Sequence, residues 1–435
     1  MAPRKILAHR LLGFCVRHAK ALSIALYVAA LAVFFSLPLA AKSNYLDENA
    51  LLAGFSHSQI RYSSGLSSVQ DAFRSLAATH QPQQSAEAML QHMQIQHWWS
   101  HLHTLQCDAS TLHGILRAPH GDGKEAILLA TPVSGKLAAD YTAIQVVVAL
   151  LQYLQHVPWL AKDIVWVIPD VSCGALQVTR EWLQAYHGAQ NHFGQSGLLQ
   201  QALILQMSNN TFNTLHVDTT GWNGQLPMLD LYYVVKRLTE NGPGFTLSQD
   251  VKVPLLQHMS KSLQAYWKTM WPILCFSWQQ AIALPTGIHA EFAKYGIDAI
   301  TIRTDMHSHE VAWSYGLEEG IIKLAVLLEL TMRSLNNLLE QFHHSTTFYV
   351  LISPDWHVPF QAHIVPPLLL IAILVLQAAD SASEVTSRHF ASNAKPDLRD
   401  CNLASFLFVV CGLGNSILCL TADGAFAWWK AGYPK

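Results

Sequence analysis

"AILLATPVSGKLAADYTAIQVVVALLQYL", from Ala126 to Leu154, is the stretch of the sequence that decides the fold. A short apolar run is followed by a loop of small and polar residues and then by a long apolar segment. This order predicts a buried strand, a loop and a buried helix. In open α/β sheets, ligands bind outside the carboxyl ends of such strands. The loop that begins at Thr131 is therefore the first place to look for a functional site.

Further apolar runs and helical patterns alternate on both sides of this stretch. The alternation predicts an α/β fold with a mostly parallel sheet and flanking helices. A further helix is expected from Ser85 to about His103, ahead of the first strand. The predicted strands are "TLHGILRAP", "AILLAT", "DIVWVIPD", "ALILQM", "TLHVDTT" and "IDAITIR", and the main predicted helices cover residues 138–155, 175–188, 227–238, 255–270 and 316–343.

The composition points to a membrane protein. Only 13% of the 435 residues are charged and 51% are hydrophobic, with a mean hydropathy of +0.20. These values are too apolar for an ordinary soluble enzyme and indicate membrane segments. The formal net charge of −2 gives no support for a nucleic-acid-binding protein.

Residues 21–41 are predicted to cross the membrane as a helix. The segment carries no charge and lies between Lys20 and Lys42. As a helix it would be about 31 Å long, close to the hydrocarbon thickness of a bilayer. The preceding tail, residues 1–20, is basic and without acidic residues, which places the N-terminus in the cytosol. A cleaved signal peptide is the alternative, but its apolar core would be only about 7–15 residues long.

A second span is predicted at residues 358–378, and a third, weaker one at 403–420 within the tail 379–435. The large region 43–345 would then lie on the lumenal or extracellular side as one α/β domain. Asn209 begins an Asn-Asn-Thr sequon, which predicts glycosylation on that side.

The cysteines do not form a metal or disulfide framework. The sequence has no C-x-x-C and no zinc-finger spacing. Cys107, Cys173 and Cys275 fall in the central region. They allow at most one disulfide and a free thiol, and the sequence does not decide which two would pair.

Acidic residues and histidines follow several predicted strands. These are Asp140, Asp170, His307 and His309. Side chains of this kind could converge on a zinc ion at the edge of the sheet. The alternative is structural, with Asp140 capping the following helix and the two histidines in a surface loop. The sequence has no G-x-S-x-G, no P-loop, no G-x-G-x-x-G and no H-E-x-x-H.

Several unusual motifs occur in an order that resembles a known family. They are "YLDENALLAG", "WLAKDIVWVIPD", "REWLQAYHG", "VDTTGWNGQLPMLDL", "IDAITIR" and "LNNLLEQFHHSTTFYVLISP". From about residue 12 to residue 378 the chain is similar to the GPI-anchor attachment subunit of the GPI transamidase. Beyond about residue 380 the resemblance ends, and the closing "ADGAFAWWKAGYPK" indicates a shortened isoform or an incomplete gene model.

The resemblance implies a scaffold subunit in the membrane of the endoplasmic reticulum. The implied complex removes a C-terminal signal from precursor proteins and attaches the GPI glycolipid. Its cysteine nucleophile belongs to a caspase-like partner subunit, and further transamidase subunits complete the assembly. The attachment subunit would hold GPI and present it, would need no cofactor and would not itself be an enzyme.

The family's lumenal domain is similar to zinc aminopeptidases, so the metal pattern can be compared. Such an enzyme places His-x-Asp where this chain has Thr131-Pro132-Val133, and Glu-Glu where it has Pro169-Asp170. Asp140 matches the bridging aspartate, and the final histidine would be one of the pair named above. The general base is missing, which predicts a degenerate site. A membrane-anchored zinc aminopeptidase or glutaminyl cyclase is the alternative function.

The motif "GWNGQLPMLDL" also supplies candidate contact residues. Trp222, Asn223 and Gln225 could contact a substrate or another subunit. The alternative is a tight turn that leads into a helix with Pro227 in its first turn.

Overall fold

The computed structural model describes residues 18–392, apart from the residues 64–65, 79, 104–107, 136, 189–193, 210–211, 213, 249–250, 252–259, 306–316, 340 and 343–344. The chain divides into two compact units. One comprises Ser43–His357, and the other comprises the segments before and after it.

The main unit is built on an eight-stranded mixed sheet with the order β2-β3-β5-β4-β6-β9-β7-β8. The four neighbours β5, β4, β6 and β9 are parallel to one another. The pairs β2–β3, β3–β5 and β7–β9 are antiparallel, and β8 is parallel to β7. A second sheet has the order β1-β11-β10. The strands are β1 Lys42–Ser43, β2 Gln96–His103, β3 Asp108–Leu116, β4 Glu125–Ala130, β5 Asp163–Pro169, β6 Leu198–Met207, β7 Thr214–Asp218, β8 Thr246–Leu247, β9 Asp298–Asp305, β10 Tyr349–Ser353 and β11 Trp356–Pro359.

Helices cover both faces of the large sheet, as the alternating sequence predicts. Helices α2, α3, α4, α6 and α9 contribute to the larger core cluster, and α5 and α8 to the cluster on the other face. The predicted α/β class is confirmed. The helices are α1 Ala19–Ser36, α2 Leu66–Ala77, α3 Pro82–His92, α4 Ala138–Leu154, α5 Ala175–His187, α6 Leu229–Asn241, α7 Lys261–Ile282, α8 His289–Phe292, α9 Leu317–Asn336, α10 Phe360–His363 and α11 Val365–Ser392.

Strand β4 is buried on both of its faces. Ile127 and Leu129 belong to the larger cluster, whereas Ala126, Leu128 and Ala130 belong to the cluster on the opposite face. This follows from the two-residue period of a strand, which sends successive side chains to opposite sides. Each large aliphatic side chain buried in this way contributes about 1.5–3 kcal/mol. The predicted strand-loop-helix at Ala126–Leu154 is therefore present.

The helix expected from Ser85 to about His103 is wrong in its second half. Helix α3 ends at His92, and β2 follows. Gln94 has a φ of 56°, a left-handed conformation that interrupts the helix. Trp98 then packs against one core cluster and Trp99 against the other, because they are consecutive residues of a strand. Ser85 lies inside α3, where its hydroxyl donates to the carbonyl of Gln81 at 3.1 Å.

Other helix boundaries also differ from those that the sequence predicted. Helix α7 does not end near Met270 but continues through Pro272 to Ile282. Helix α6 begins at Leu229, so Pro227 lies before the helix and not in its first turn. Helix α9 ends at Asn336, short of the expected end at residue 343.

The second unit contains two long apolar helices that pack against each other, α1 and α11. Two segments, Ala19–Ala40 and Phe360–Ser381, are long and apolar enough to cross a membrane. They coincide with the spans expected at residues 21–41 and 358–378. The weaker candidate at 403–420 lies outside the described residues.

Two side chains from the family-like motifs join segments that are far apart in the sequence. Asn336 of "LNNLLEQ" accepts from the backbone N–H groups of Ala161 and Lys162 at 2.9 and 3.0 Å and donates to the Trp159 carbonyl at 2.9 Å. Asp230 of "GWNGQLPMLDL" accepts from the backbone N–H groups of Asp47 and Glu48 at 3.0 and 2.8 Å. The motifs therefore stabilise the packing of distant segments.

We expect Asn336→Ala to lower the free energy of unfolding of the full chain by about 1–2 kcal/mol, because two backbone donors lose their acceptor. Asn337→Ala is the matched control, since Asn337 donates one exposed hydrogen bond, to the Ala50 carbonyl at 2.9 Å. Thermal unfolding of both purified variants in detergent measures the difference. Equal midpoints for the two variants would show that Asn336 does not hold these segments together.

Candidate functional site

A cleft of about 440 Å³ lies at the carboxyl ends of β4 and β6. The loop after β4 contributes Pro132, Ser134 and Asp140, and the end of β6 contributes Gln206 and Ser208. Strand β4 lies between β5 and β6 in the sheet, so the chain crosses over in opposite directions from it. Such a reversal is where open α/β sheets form ligand crevices. The cleft therefore lies at the edge of the sheet where the sequence predicted a site.

The residues at the start of this loop point into the core. Thr131 is 0% exposed, and its hydroxyl accepts a hydrogen bond from the indole N–H of Trp166 at 3.0 Å. Val133 is also buried, and its backbone is bonded to that of Pro169 and Val171 at 3.0 and 2.9 Å. Neither a threonine used in this way nor a valine offers a metal ligand.

The two aspartates that were candidate ligands bind groups of their own loops. One Asp140 carboxylate oxygen accepts from both the backbone N–H and the hydroxyl of Ser134 at 2.9 Å. Asp170 accepts from the backbone N–H of Ser172 at 2.9 Å and so caps a short helical turn. Asp140 lies in the first turn of α4 but does not cap that helix, whose N-cap residue is Leu137. Both carboxylates therefore stabilise loop conformations.

The described residues do not fit a zinc centre. Among them, no group of three His, Cys, Asp or Glu side chains is placed to hold a metal ion. His307 and His309 lie outside the described residues. Asn209 is exposed, as a glycosylation site requires, and its glycosylation stays a prediction.

One wall of the cleft is the segment from Pro285 to Ile288, and a buried histidine fixes it. The ring of His289 bonds to the Thr220 carbonyl at 3.1 Å and to the Thr301 hydroxyl at 2.9 Å. Burial lowers the pKa of His289 from 6.5 to about 4, so the ring is neutral at physiological pH. Its Nε2–H then donates to the carbonyl, which can only accept, and Nδ1 accepts from the hydroxyl.

Trp222 and Asn223 form the predicted tight turn. Asn223 and Gly224 have φ values of 55° and 70°, and the N–H of Gly221 donates to the Gln225 carbonyl at 2.8 Å. The N–H of Asn223 donates to the Ala283 carbonyl at 3.2 Å, which fixes the turn to the chain after α7. The contact role for Trp222, Asn223 and Gln225 stays a prediction.

A charged cluster that the sequence analysis missed holds this turn. The Glu291 carboxylate is 0% exposed and accepts from Arg180 at 2.9 and 3.0 Å, from Lys294 at 2.7 Å and from the Trp222 indole at 2.7 Å. Burial alone would raise the pKa of Glu291, but these hydrogen bonds outweigh it and lower the pKa from 4.5 to about 2. No local pattern reveals the cluster, because Arg180 and Glu291 are distant in sequence.

The cysteines of the main unit differ in state. Cys173 is disulfide-bonded and Cys275 is a free thiol, while Cys107 lies outside the described residues. Burial raises the pKa of the Cys275 thiol. The thiol is therefore protonated at neutral pH, which is unfavourable for a nucleophile.

We expect Glu291→Gln to destabilise the full chain at pH 7 by on the order of 2–3 kcal/mol, because a buried, multiply bonded carboxylate is lost. Since the folded-state pKa is depressed, the carboxylate stabilises the fold above pH 4.5, and this contribution is lost as the pH falls towards 2. The difference in unfolding midpoint between wild type and variant should therefore shrink below pH 4.5.

Glu181→Gln is the control for this prediction, because it removes an exposed carboxylate beside the same arginine. It should leave the midpoint nearly unchanged across the range from pH 7 to pH 3 in the same thermal unfolding series. A pH-independent difference between wild type and Glu291→Gln would contradict the ionised state of Glu291.

Residues 108–425 match the family model described as Gaa1-like, GPI transamidase component. The prediction that the resemblance ends at about residue 380 is therefore wrong, because the match continues to residue 425. The chain is 29% identical over 263 residues to GPI transamidase component GAA1 of Saccharomyces cerevisiae, which covers 58% of this chain and 39% of that protein. It is 27% identical over 270 residues to GPI transamidase component gaa1 of Schizosaccharomyces pombe, covering 59% of this chain and 43% of that protein. The match thus spans about two fifths of each relative.

Among solved structures, the chain is similar to the LapA aminopeptidase of Legionella pneumophila, with a TM-score of 0.41 and 10% identity over 68% of this chain and 76% of that one. It is also similar to a glutaminyl cyclase of Fimbriiglobus ruber, with a TM-score of 0.40 and 8% identity over 62% of this chain and 95% of that one. Likeness at this level does not bear on activity. The family match covers most of the sequence, and the chain belongs to the Gaa1-like family of GPI transamidase components.

Proposed function

We propose that this protein is a non-catalytic subunit of the GPI transamidase in the membrane of the endoplasmic reticulum. It takes part in attaching the GPI anchor to the C-terminus of precursor proteins. Its N-terminus lies in the cytosol, and the unit Ser43–His357 lies in the lumen. The cleft helps to bind GPI or the precursor and presents it to a caspase-like cysteine-protease subunit.

The observation that carries the non-catalytic part of this proposal is the environment of Thr131. A metallopeptidase would place its first zinc ligand at the end of this strand. Here the position holds a buried hydroxyl that is bonded to Trp166. A water activated by zinc needs both the metal ligands and a general base, and Asp140 and Asp170 are bound to their own loops.

The chemistry of anchor attachment also favours a partner as the nucleophile. Exchanging one amide for another through an acyl-enzyme needs an activated nucleophile, such as a thiolate with a nearby base. The thiol of Cys275 is held in its protonated form by burial, and Cys173 is already disulfide-bonded. The unit does contain a cleft with polar groups from Ser134, Gln206 and Ser208, and this supports a binding role.

The proposal is tested in cells depleted of their own Gaa1-like protein. The wild-type chain should co-purify with the caspase-like subunit and restore GPI-anchored proteins at the surface. Ser208→Trp fills the cleft and should lower anchor attachment several-fold while co-purification persists. Ser75→Trp, on an exposed face of α2, is the matched control and should behave as wild type.

Two results would contradict the proposal. One is a chain that restores nothing and does not co-purify with the caspase-like subunit. The other is a purified chain that contains one zinc ion per molecule and loses both the zinc and a peptidase or cyclase activity in Asp140→Ala. The second result would favour the zinc aminopeptidase or glutaminyl cyclase alternative.

A further inference from the structure

Helix α7 carries an apolar stripe along one side. The stripe comprises Leu263, Trp267, Trp271, Leu274, Trp278 and Ile282, which recur at intervals of three or four residues. At about 100° per residue these side chains fall within a sector of about 100°. Leu263 is 47% exposed and Trp278 is 55% exposed. The other four residues of the stripe are half-buried. An apolar stripe that reaches the surface at both ends is unusual for a soluble domain.

A different side of α7 attaches the helix to the main unit. Met270 and Ile273 are buried, and Phe276 packs against the cluster that contains Tyr232 and Leu351. Ile273 and Phe276 lie well away from the centre of the stripe on a helical projection, whereas Met270 lies at the edge of the stripe. Trp267 and Trp271 are half-buried and pack against each other with their ring centroids 5.7 Å apart, whereas Leu263 and Trp278 are exposed. The exposed side chains of the stripe are therefore not required to hold the helix in place.

The charges on α7 are all of one sign. The helix contains Lys261 and Lys268 and no Asp or Glu among its 22 residues. Both lysines flank the stripe on the same edge, next to Gln264 and Gln279. Tryptophan and lysine together are typical of helices that lie in the interface of a bilayer, where the rings sit at the level of the headgroups and the ammonium groups meet lipid phosphates.

The chain that follows the packing partner of α7 leads to a segment able to cross a membrane. Helix α7 packs against β10, which ends at Ser353. Seven residues lead from Ser353 to Phe360, where a segment able to cross a membrane begins. Phe348, directly before β10, is 63% exposed and adds to the apolar surface of this region.

We propose that α7 is an interfacial helix that lies in the plane of an anionic membrane surface, with the Leu263–Ile282 stripe inserted among the lipids. The apolar stripe supplies the insertion, and Lys261 and Lys268 supply the attraction to lipid phosphates. A protein partner would be expected to meet a mixed-charge rim, and the uniform positive charge of α7 favours lipid. This inference goes beyond the role in anchor attachment, because it concerns how the main unit is held against the bilayer.

The full chain in proteoliposomes of phosphatidylcholine and phosphatidylserine (4:1) tests the inference. A small fluorescent amino acid is introduced in place of Trp278, Leu263, Gln279 or Tyr62, one position at a time. Lipids with brominated acyl chains should quench the probe at 278 and 263 at least two-fold more than at 279. Tyr62, which is 86% exposed on another part of the unit, is the matched control and should remain unquenched.

Charge dependence provides the second measurement. Replacing phosphatidylserine by phosphatidylcholine, or introducing Lys261→Gln and Lys268→Gln together, should reduce quenching at position 278. Equal quenching at 278 and 62 would overturn the inference. So would a probe at 278 that stays unquenched in lipid and shifts its emission only when other transamidase subunits are added, because the stripe would then bind protein. Neither outcome alters co-purification with the caspase-like subunit, which tests the proposed function separately.

Discussion

The structure depends on one strand that is buried on both faces and bonded along both edges. Residues Ala126–Ala130 are at most 1% exposed, and β4 pairs with β5 on one side and β6 on the other. A backbone in this position can keep its hydrogen bonds only if both neighbours are in register. The chain must therefore cross over in two directions from β4. The cleft at its carboxyl end is a geometric result of that reversal and does not depend on any catalytic residue.

The parts that the sequence predicted are those with a local signal. Strands such as β4 and β5 are continuous apolar runs, because parallel strands are covered on both sides. Strand β2 was not predicted, because "HWWSHLH" mixes apolar and polar residues and follows directly on a helix. The loops that hold Asp140 and Asp170 were located correctly, since their serine partners are close in sequence. His289 and Glu291 were missed, because Thr220, Thr301 and Arg180 come from distant segments and leave no pattern.

The cleft is a space at the edge of the sheet, whereas the residues around it form structural hydrogen bonds. At the start of the loop after β4, Thr131 forms a structural hydrogen bond with Trp166. The motifs that distinguish the family contribute Asp230 and Asn336, whose hydrogen bonds connect distant parts of the main unit. Fold-level likeness alone does not determine activity.

The ends of the main unit meet, and this has a mechanical consequence. The backbone N–H of Asn44 donates to the Asp355 carbonyl at 2.7 Å, its side-chain amide donates to Pro354 at 2.8 Å, and its Oδ1 lies 2.7 Å from Nδ1 of the buried His357. A force that pulls the two ends apart therefore loads these bonds first. The large sheet lies within the loop that they close, so lateral tension would reach it only after they have broken. The hydrogen bonds around Asn44 thus carry tension from the flanking segments before it reaches the roughly three hundred residues of the main unit.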